Sequence, residues 1–269
     1  MFVDTHCHLN MVVKKEFNVC LEESHFALIK HVIQDAHGAG VSKIVNVGTS
    51  LQESINSVEI AKRFDSVFAT VGIHPCDCSE NWRQDVQALA KCLGGDKEKN
   101  KIVAIGEVGL DFYHKPYDKQ RQYDAFKMQI ELALEYTLPL VIHVRDAGDE
   151  LLKIIEEYVR EIKGAVIHCF SQKQDFADIV TGWGFYIGID GPITYPKNEE
   201  LRSIVKKVAL EHLILETDAP FLPPQQYRGK QNVPAYLPLF AALIADLKEI
   251  SLEQLAQATT RNAEKLFGI

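Results

Sequence analysis

Five short segments carry the residue types that hold divalent cations. They are His6 and His8 in Asp4-Thr5-His6-Cys7-His8, Glu107 in Gly106-Glu107-Val108-Gly109, His143 in Ile142-His143-Val144-Arg145, His168 in Ile167-His168-Cys169-Phe170, and Asp218 in Glu216-Thr217-Asp218. Each closes an apolar run that reads as a β-strand. A lone His-x-His more often marks two surface histidines, but five such sites, all delivered at strand ends, imply one shared rim. Mixed imidazole and carboxylate donors suit Zn²⁺ or Mn²⁺, and Mg²⁺ with more water. Two ions about 3.5–4 Å apart would activate water at neutral pH and clamp the attacked group, the chemistry of a dinuclear hydrolase. His6 and His8, two apart on a strand, point to one side. Asp218 would join them on one ion and exchange a proton with bound water, while His143 and His168 would complete a second. Glu107 is costly to bury alone; a salt bridge to Arg145 would relieve the cost, and so would a position shared between two cations.

The strands that must position these residues are legible as eight runs, 2–5, 43–48, 67–73, 102–107, 138–144, 165–170, 185–189 and 213–216. Most are continuous Val/Ile/Leu stretches, as expected of parallel strands covered on both faces. Helical periodicity lies between them: Leu28, Ile29, Val32, Ile33 and Ala36 share a face, as do Val86, Leu89, Ala90 and Leu93, then Phe176, Ile179, Val180 and Trp183, then Leu201, Ile204, Val205 and Val208. Further helices are expected around Leu237, Phe240, Ile244 and Leu247, and over 252–267. Alternating strands and helices predict an α/β fold, a (β/α)8 TIM-type barrel, with residues 1–269 as one metal-dependent hydrolase domain. The alternative, a doubly wound open sheet, would need a Gly-x-Gly-x-x-Gly turn to bind a dinucleotide, and the sequence has none. In a barrel the C-terminal strand ends carry the active site, which is where the ligand-type residues fall.

The chain has 269 residues, 46% hydrophobic and 25% charged, a composition that supports a large core. No apolar run approaches the about 18 residues of a membrane span, and the N-terminus lacks the pattern of a signal peptide. Six cysteines, Cys7, Cys20, Cys76, Cys78, Cys92 and Cys169, form no disulfide framework and suggest reduced thiols in the cytoplasm. Cys76-x-Cys78 reads as loop lining rather than a metal pair. Cys7 and Cys169, beside candidate ligands, should turn to the opposite face and pack. A net charge of −8 argues against broad duplex binding, though not against a nucleic acid engaged at an end. Neither a Gly-x-Ser-x-Gly elbow nor a Walker loop is present.

At these residues the chain resembles the TatD-type metal-dependent DNases, a branch of the amidohydrolase-like barrels, over nearly its whole length. The pieces that carry the likeness are Asp4-Thr5-His6-Cys7-His8, Gly72-Ile73-His74-Pro75, Gly106-Glu107-Val108-Gly109-Leu110-Asp111-Phe112, Ile142-His143-Val144-Arg145, His168-Cys169-Phe170-Ser171 and Glu216-Thr217-Asp218-Ala219-Pro220. The resemblance implies a (β/α)8 barrel with one or two divalent ions and phosphodiester hydrolysis. It also implies that His6, His8 and Asp218 hold one ion, His143 and His168 the other, and Glu107 both. His74 would face the site as a substrate or water contact, or orient its loop through Pro75. Gln172 stands where the family often has Gly, and Val233 where an acid is common.

The activity expected is hydrolysis of DNA, from single-stranded or frayed ends, with two divalent ions (Mg, Mn or Zn) and no organic cofactor. Asp218 would accept the proton. Arg145 would bind a phosphate oxygen or else pair with Glu107 or Asp111. Arg228 and Lys230, in a polar loop, could grip the backbone, and Phe112 and Tyr113 could stack on a terminal base or simply pack. Two rivals share the same residues: a carboxylic ester hydrolase such as a D-aminoacyl-tRNA deacylase, and a non-catalytic nucleic-acid-binding scaffold.

Overall fold

In the computed structural model, which describes residues 1–14, 16–94 and 100–269, the apolar runs become eight strands: β1 (Phe2–Cys7), β2 (Val41–Asn46), β3 (Val67–Val71), β4 (Ile102–Asp111), β5 (Leu140–Arg145), β6 (Ala165–Ile167), β7 (Tyr186–Ile189) and β8 (Leu213–Leu215). Every neighbouring pair is parallel, and the strands follow one another in strict chain order. That order excludes the doubly wound sheet, in which it reverses part-way across. β8 meets β1 just past the strand ends. There the Asp218 N–H donates to the His6 carbonyl and the His8 N–H to the Ala219 carbonyl, each at 2.8 Å. The result is a (β/α)8 barrel, closed at a seam that runs beside three of the candidate ligands.

Helices α1 (Leu9–Val13), α2 (Glu23–Gly38), α3 (Leu51–Arg63), α4 (Trp82–Leu93), α5 (Lys119–Tyr136), α6 (Gly148–Glu156), α7 (Gln174–Gly182), α8 (Glu199–Lys207), α9 (Leu237–Lys248) and α10 (Leu252–Phe267) follow. Two stripes sit differently from expectation. α2 buries Phe26, Ile29, Ile33 and Ala36 and leaves Leu28 exposed, and α7 buries Phe176, Ala177 and Val180 but exposes Ile179. The residue one step from the stripe centre lies about 100° round a 3.6-residue turn, so it leaves the buried face.

Two strands depart from regular pairing where it matters. From Asp4 to Cys7, β1 advances three positions while β2 advances two, from Ile44 to Asn46. From Ile105 to Val108, β4 advances three while β5 advances two, from Leu140 to Ile142. Each is a bulge of one extra residue, which re-aims the side chains it contains; here those include His6 and Glu107.

The opposite end of the barrel is plugged. α10 lays Ala263, Leu266 and Phe267 against Val3, Val45, Val103, Val141, Val166 and Ile214. Asn262 Nδ2 donates to the Leu213 carbonyl at the start of β8, Thr260 Oγ1 donates to the Met1 carbonyl ahead of β1, and Lys43 of β2 pairs with Glu264 at 2.9 Å. Val141, Val166 and Ile214 precede His143, His168 and Glu216 by two positions, so they line the same inward face one layer down. The barrel interior is therefore apolar at the floor and ionisable at the rim.

Candidate metal centre

The six candidate ligands converge. The His6 and His8 Nε2 atoms lie 3.1 Å apart, and the Asp218 Oδ1 atom lies 3.6 and 3.4 Å from them. Glu107 presents one oxygen to each of two groups. Its Oε2 atom is 3.4 Å from His6 and 3.8 Å from His8; its Oε1 atom is 3.1 Å from His143 Nδ1, 2.9 Å from His168 Nε2 and 3.4 Å from His74 Nε2. The His143 Nδ1 and His168 Nε2 atoms are themselves 3.4 Å apart. Ligand bonds of about 2.0–2.2 Å in a tetrahedron give donor–donor edges of about 3.3–3.6 Å. The separations bracket that edge in the first group, at 3.1–3.8 Å, and lie at or just below it in the second, at 2.9–3.4 Å.

Proton positions argue the same way. His8 Nδ1 faces the Val47 carbonyl at 2.9 Å, so it must carry the hydrogen and leave a lone pair on Nε2. His143 Nε2 donates to Asp111 Oδ2 at 3.0 Å, which leaves the Nδ1 lone pair facing Glu107. Lone pairs turned on one another at these distances require a proton or a cation between them. Burial would lower the basicity of His8, His143 and His168, yet the facing carboxylates raise all three: Asp218 for His8, Asp111 and Glu107 for His143, Glu107 and Glu216 for His168. Burial would likewise raise Glu107, but His168 and His143 hold it well below the usual carboxylate range. Burial and the neighbouring His168 lower His6, so the cluster mixes neutral and protonatable imidazoles among carboxylates, a donor set that fits divalent ions.

Outer groups hold these imidazoles, as is usual around metals. Asp111, fully buried at the end of β4, accepts from His143, from the His114 ring at 2.8 Å, and from the backbone N–H groups of Tyr113 and His114. The Glu216 Oε1 atom lies 3.4 Å from His168 Nδ1 and accepts from the Cys169 N–H. A Cβ at Gly188 would fall 2.3 Å from the Glu216 carboxylate, so only glycine leaves that acid its place. From sequence Asp111 is named only as a partner for Arg145, and Glu216 has no role, although each lies in a motif with a candidate ligand.

His74 lies beside the cluster. Its Nδ1 atom accepts from the Cys76 N–H at 3.1 Å, so its Nε2–H faces Glu107. Burial pushes its pKa down to about 3, which keeps it neutral.

Other expectations require correction. Glu107 does not end its strand: β4 runs on to Asp111, and the bulge rather than a terminus turns Glu107 inward. His168 and Asp218 lie beyond their strands, which stop at Ile167 and Leu215. Cys7 is buried in the core, but Cys169 does not turn away. Strand alternation lapses there because the Cys169 φ is +44°, and its thiol approaches Asp190 and Asp218. Among the described residues Arg145 pairs with neither Glu107 nor Asp111; its guanidinium sits over the exposed Tyr113 ring, 4.6 Å from the centroid, on the wall of the cavity. Phe112 is packed against Tyr117 and cannot receive a base. Arg228 lies outside this cavity, over Tyr195 in the adjoining cleft. Gln172 ties its loop to the Val144 carbonyl at 3.2 Å.

The cavity above the cluster is about 560 Å³, with His8, His74, Glu107, His143, His168 and Asp218 on its wall. No helix among the described residues is long and apolar enough to cross a membrane. A family model described as TatD related DNase matches residues 3–268. An uncharacterized metal-dependent hydrolase of Bacillus subtilis (strain 168), YabD, is 35% identical over the full length of both chains. The 3'-5' ssDNA/RNA exonuclease TatD of Citrobacter rodentium (strain ICC168) is 37% identical, covering 88% of this chain and 91% of its own. The crystal structure of YJJV, a TatD homolog from Escherichia coli K12, superposes with a TM-score of 0.89 at 29% identity, over 100% of this chain and 98% of the other.

Proposed function

The chain belongs to the TatD-related DNase family and is a metal-dependent hydrolase, and from that premise we propose that it is a deoxyribonuclease cleaving phosphodiester bonds from single-stranded or frayed ends, with two divalent ions of the Mg²⁺, Mn²⁺ or Zn²⁺ type. The observation that carries this reading is Glu107, whose two oxygens face two separate donor groups. His6, His8, Asp218 and Glu107 Oε2 would hold one ion; His143, His168 and Glu107 Oε1 the other. When bound, such ions activate water and neutralise charge on the attacked phosphate.

The protein's own groups do the rest. Burial would raise the Asp218 carboxyl, but His8, 3.4 Å away, and the nearby His168 and His6 hold it below the usual range, so it stays ionised and can take the proton from the attacking water. Arg145, held on the rim by Tyr113, reaches toward a non-bridging phosphate oxygen. His74 Nε2 lies 3.4 Å from Glu107, on the wall that faces the incoming substrate. Arg228 would meet only a strand long enough to enter the adjoining cleft. Six free thiols suit a cytoplasmic setting.

The test is end-labelled single-stranded DNA with Mg²⁺ or Mn²⁺, compared with a D-aminoacyl-RNA under the same conditions. The wild type should shorten the DNA and leave the aminoacyl ester intact, with about two ions per chain. His143→Ala and His168→Ala should lose more activity than the about 10–100-fold that removing an outer partner costs. Undiminished DNA cleavage by either variant, or turnover confined to the ester, would overturn the proposal.

A further inference from the structure

Cys76 is an exposed thiol in the turn that follows His74. The 3-10 turn Pro75–Asp77 brings it against the end of β4, where its sulfur, an Asp111 oxygen and a His114 ring nitrogen lie within 4.8 Å of one another. Cys76 and His114 are exposed, so solvent ions reach them; Asp111 behind them is buried. A thiol, an imidazole and a carboxylate make a donor set that favours soft divalent ions such as Zn²⁺ and Cd²⁺ and discriminates against Mg²⁺.

We propose that Cys76, Asp111 and His114 form a separate rim site for a soft divalent cation, and that filling it shuts the hydrolase down. The inhibitory part rests on the proposed role of His143; the binding part does not. Coupling runs through two hydrogen bonds. Asp111 Oδ2 holds His143 Nε2 at 3.0 Å, and the Cys76 N–H holds His74 Nδ1 at 3.1 Å. A cation on the rim draws electron density and position from the carboxylate that orients His143, and pulls on the turn that orients His74. Binding exchanges one thiol proton, released to solvent, for the cation–sulfur bond.

The experiment is a Cd²⁺ titration of the Mg²⁺-loaded protein, read by thiolate-to-cadmium charge-transfer absorption in the ultraviolet and by turnover in the same samples. The wild type should develop the band to a stoichiometry of one while activity falls in parallel. Cys76→Ser should lack the band and need at least about tenfold more Cd²⁺ for half inhibition. It should retain basal Mg²⁺-dependent turnover and native circular dichroism. Cys169→Ser, which alters the thiol beside Asp190 and Asp218, should keep the band. A band that survives Cys76→Ser and vanishes with Cys169→Ser, or no band at all, overturns the site. A band without loss of turnover overturns the coupling. If no phosphodiester is hydrolysed by the wild type, the absorption still reads the rim site, so the two proposals fail separately.

Discussion

The decisive atoms are the imidazole nitrogens that have already committed their protons elsewhere. His8 gives its Nδ1 hydrogen to Val47 and His143 its Nε2 hydrogen to Asp111, so each turns a lone pair toward Glu107 or Asp218. This separates two kinds of acid. Glu107 faces both donor groups, whereas Asp111 stands behind His143 and orients it. Asp111→Asn keeps an acceptor but removes its charge, and should weaken Mn²⁺ binding by about 10–100-fold. Glu107→Gln should cost more, because an amide offers two N–H groups where a cation is required and removes the charge that both donor groups face. Calorimetric Mn²⁺ titrations of the two variants compare these losses directly. A Glu107→Gln protein that binds Mn²⁺ no more weakly than Asp111→Asn would rule Glu107 out as a metal ligand.

At the scale of elements, the strands and the ligands at their ends were legible because buried parallel strands are continuous apolar runs and an ionisable residue ends such a run conspicuously. What stayed hidden depends on pairing. The bulges in β1 and β4 are set by register against β2 and β5, which no single strand records. The turn of Cys169 toward the cavity needs its positive φ, and Asp111 reaches His143 because β4 runs past Glu107. The same blindness covers a clamp beside the cavity. Glu53, in the first turn of α3, is buried and binds Lys14 Nζ at 2.8 and 2.9 Å, Asn10 Nδ2, Asn56 Nδ2 and the Asn18 N–H. Burial would raise its pKa, but Lys14 and these donors lower it. A depressed carboxylate stabilises the fold above its unfolded value of about 4.3 and loses that contribution as pH falls through its lower folded value. Glu53→Gln should therefore cost about 3–5 kcal/mol at neutral pH, because it strands the Lys14 ammonium. The gap to wild type should narrow toward pH 3. Urea unfolding at both pH values measures it, and a gap independent of pH would mean that the charge of Glu53 contributes nothing.

Over the whole molecule, stability and chemistry occupy opposite ends of one barrel. Sequence periodicity foretold α10, but not that it would stop the floor, since that requires knowing where the strands begin in space. Its last turn places Phe267 and Leu266 under Val141, Val166 and Ile214, and a Cβ at Gly164, just ahead of β6, would lie 3.1 Å from Leu266. The apolar layer lies one step of strand alternation below His143, His168 and Glu216, so the floor supports the rim without touching the reacting atoms. Phe267→Ala removes a buried ring and should destabilise the protein by about 3–5 kcal/mol, the range for aromatic truncation in a core. The cavity it leaves opens toward the floor. Folded Phe267→Ala protein should therefore keep its Mn²⁺ affinity and its turnover per molecule at temperatures well below the transition. Urea midpoints paired with Mn²⁺ titration separate the two effects. A variant that stays fully stable would show that α10 does not plug the barrel, and one that remains folded but loses Mn²⁺ would show that floor and rim form a single mechanical unit.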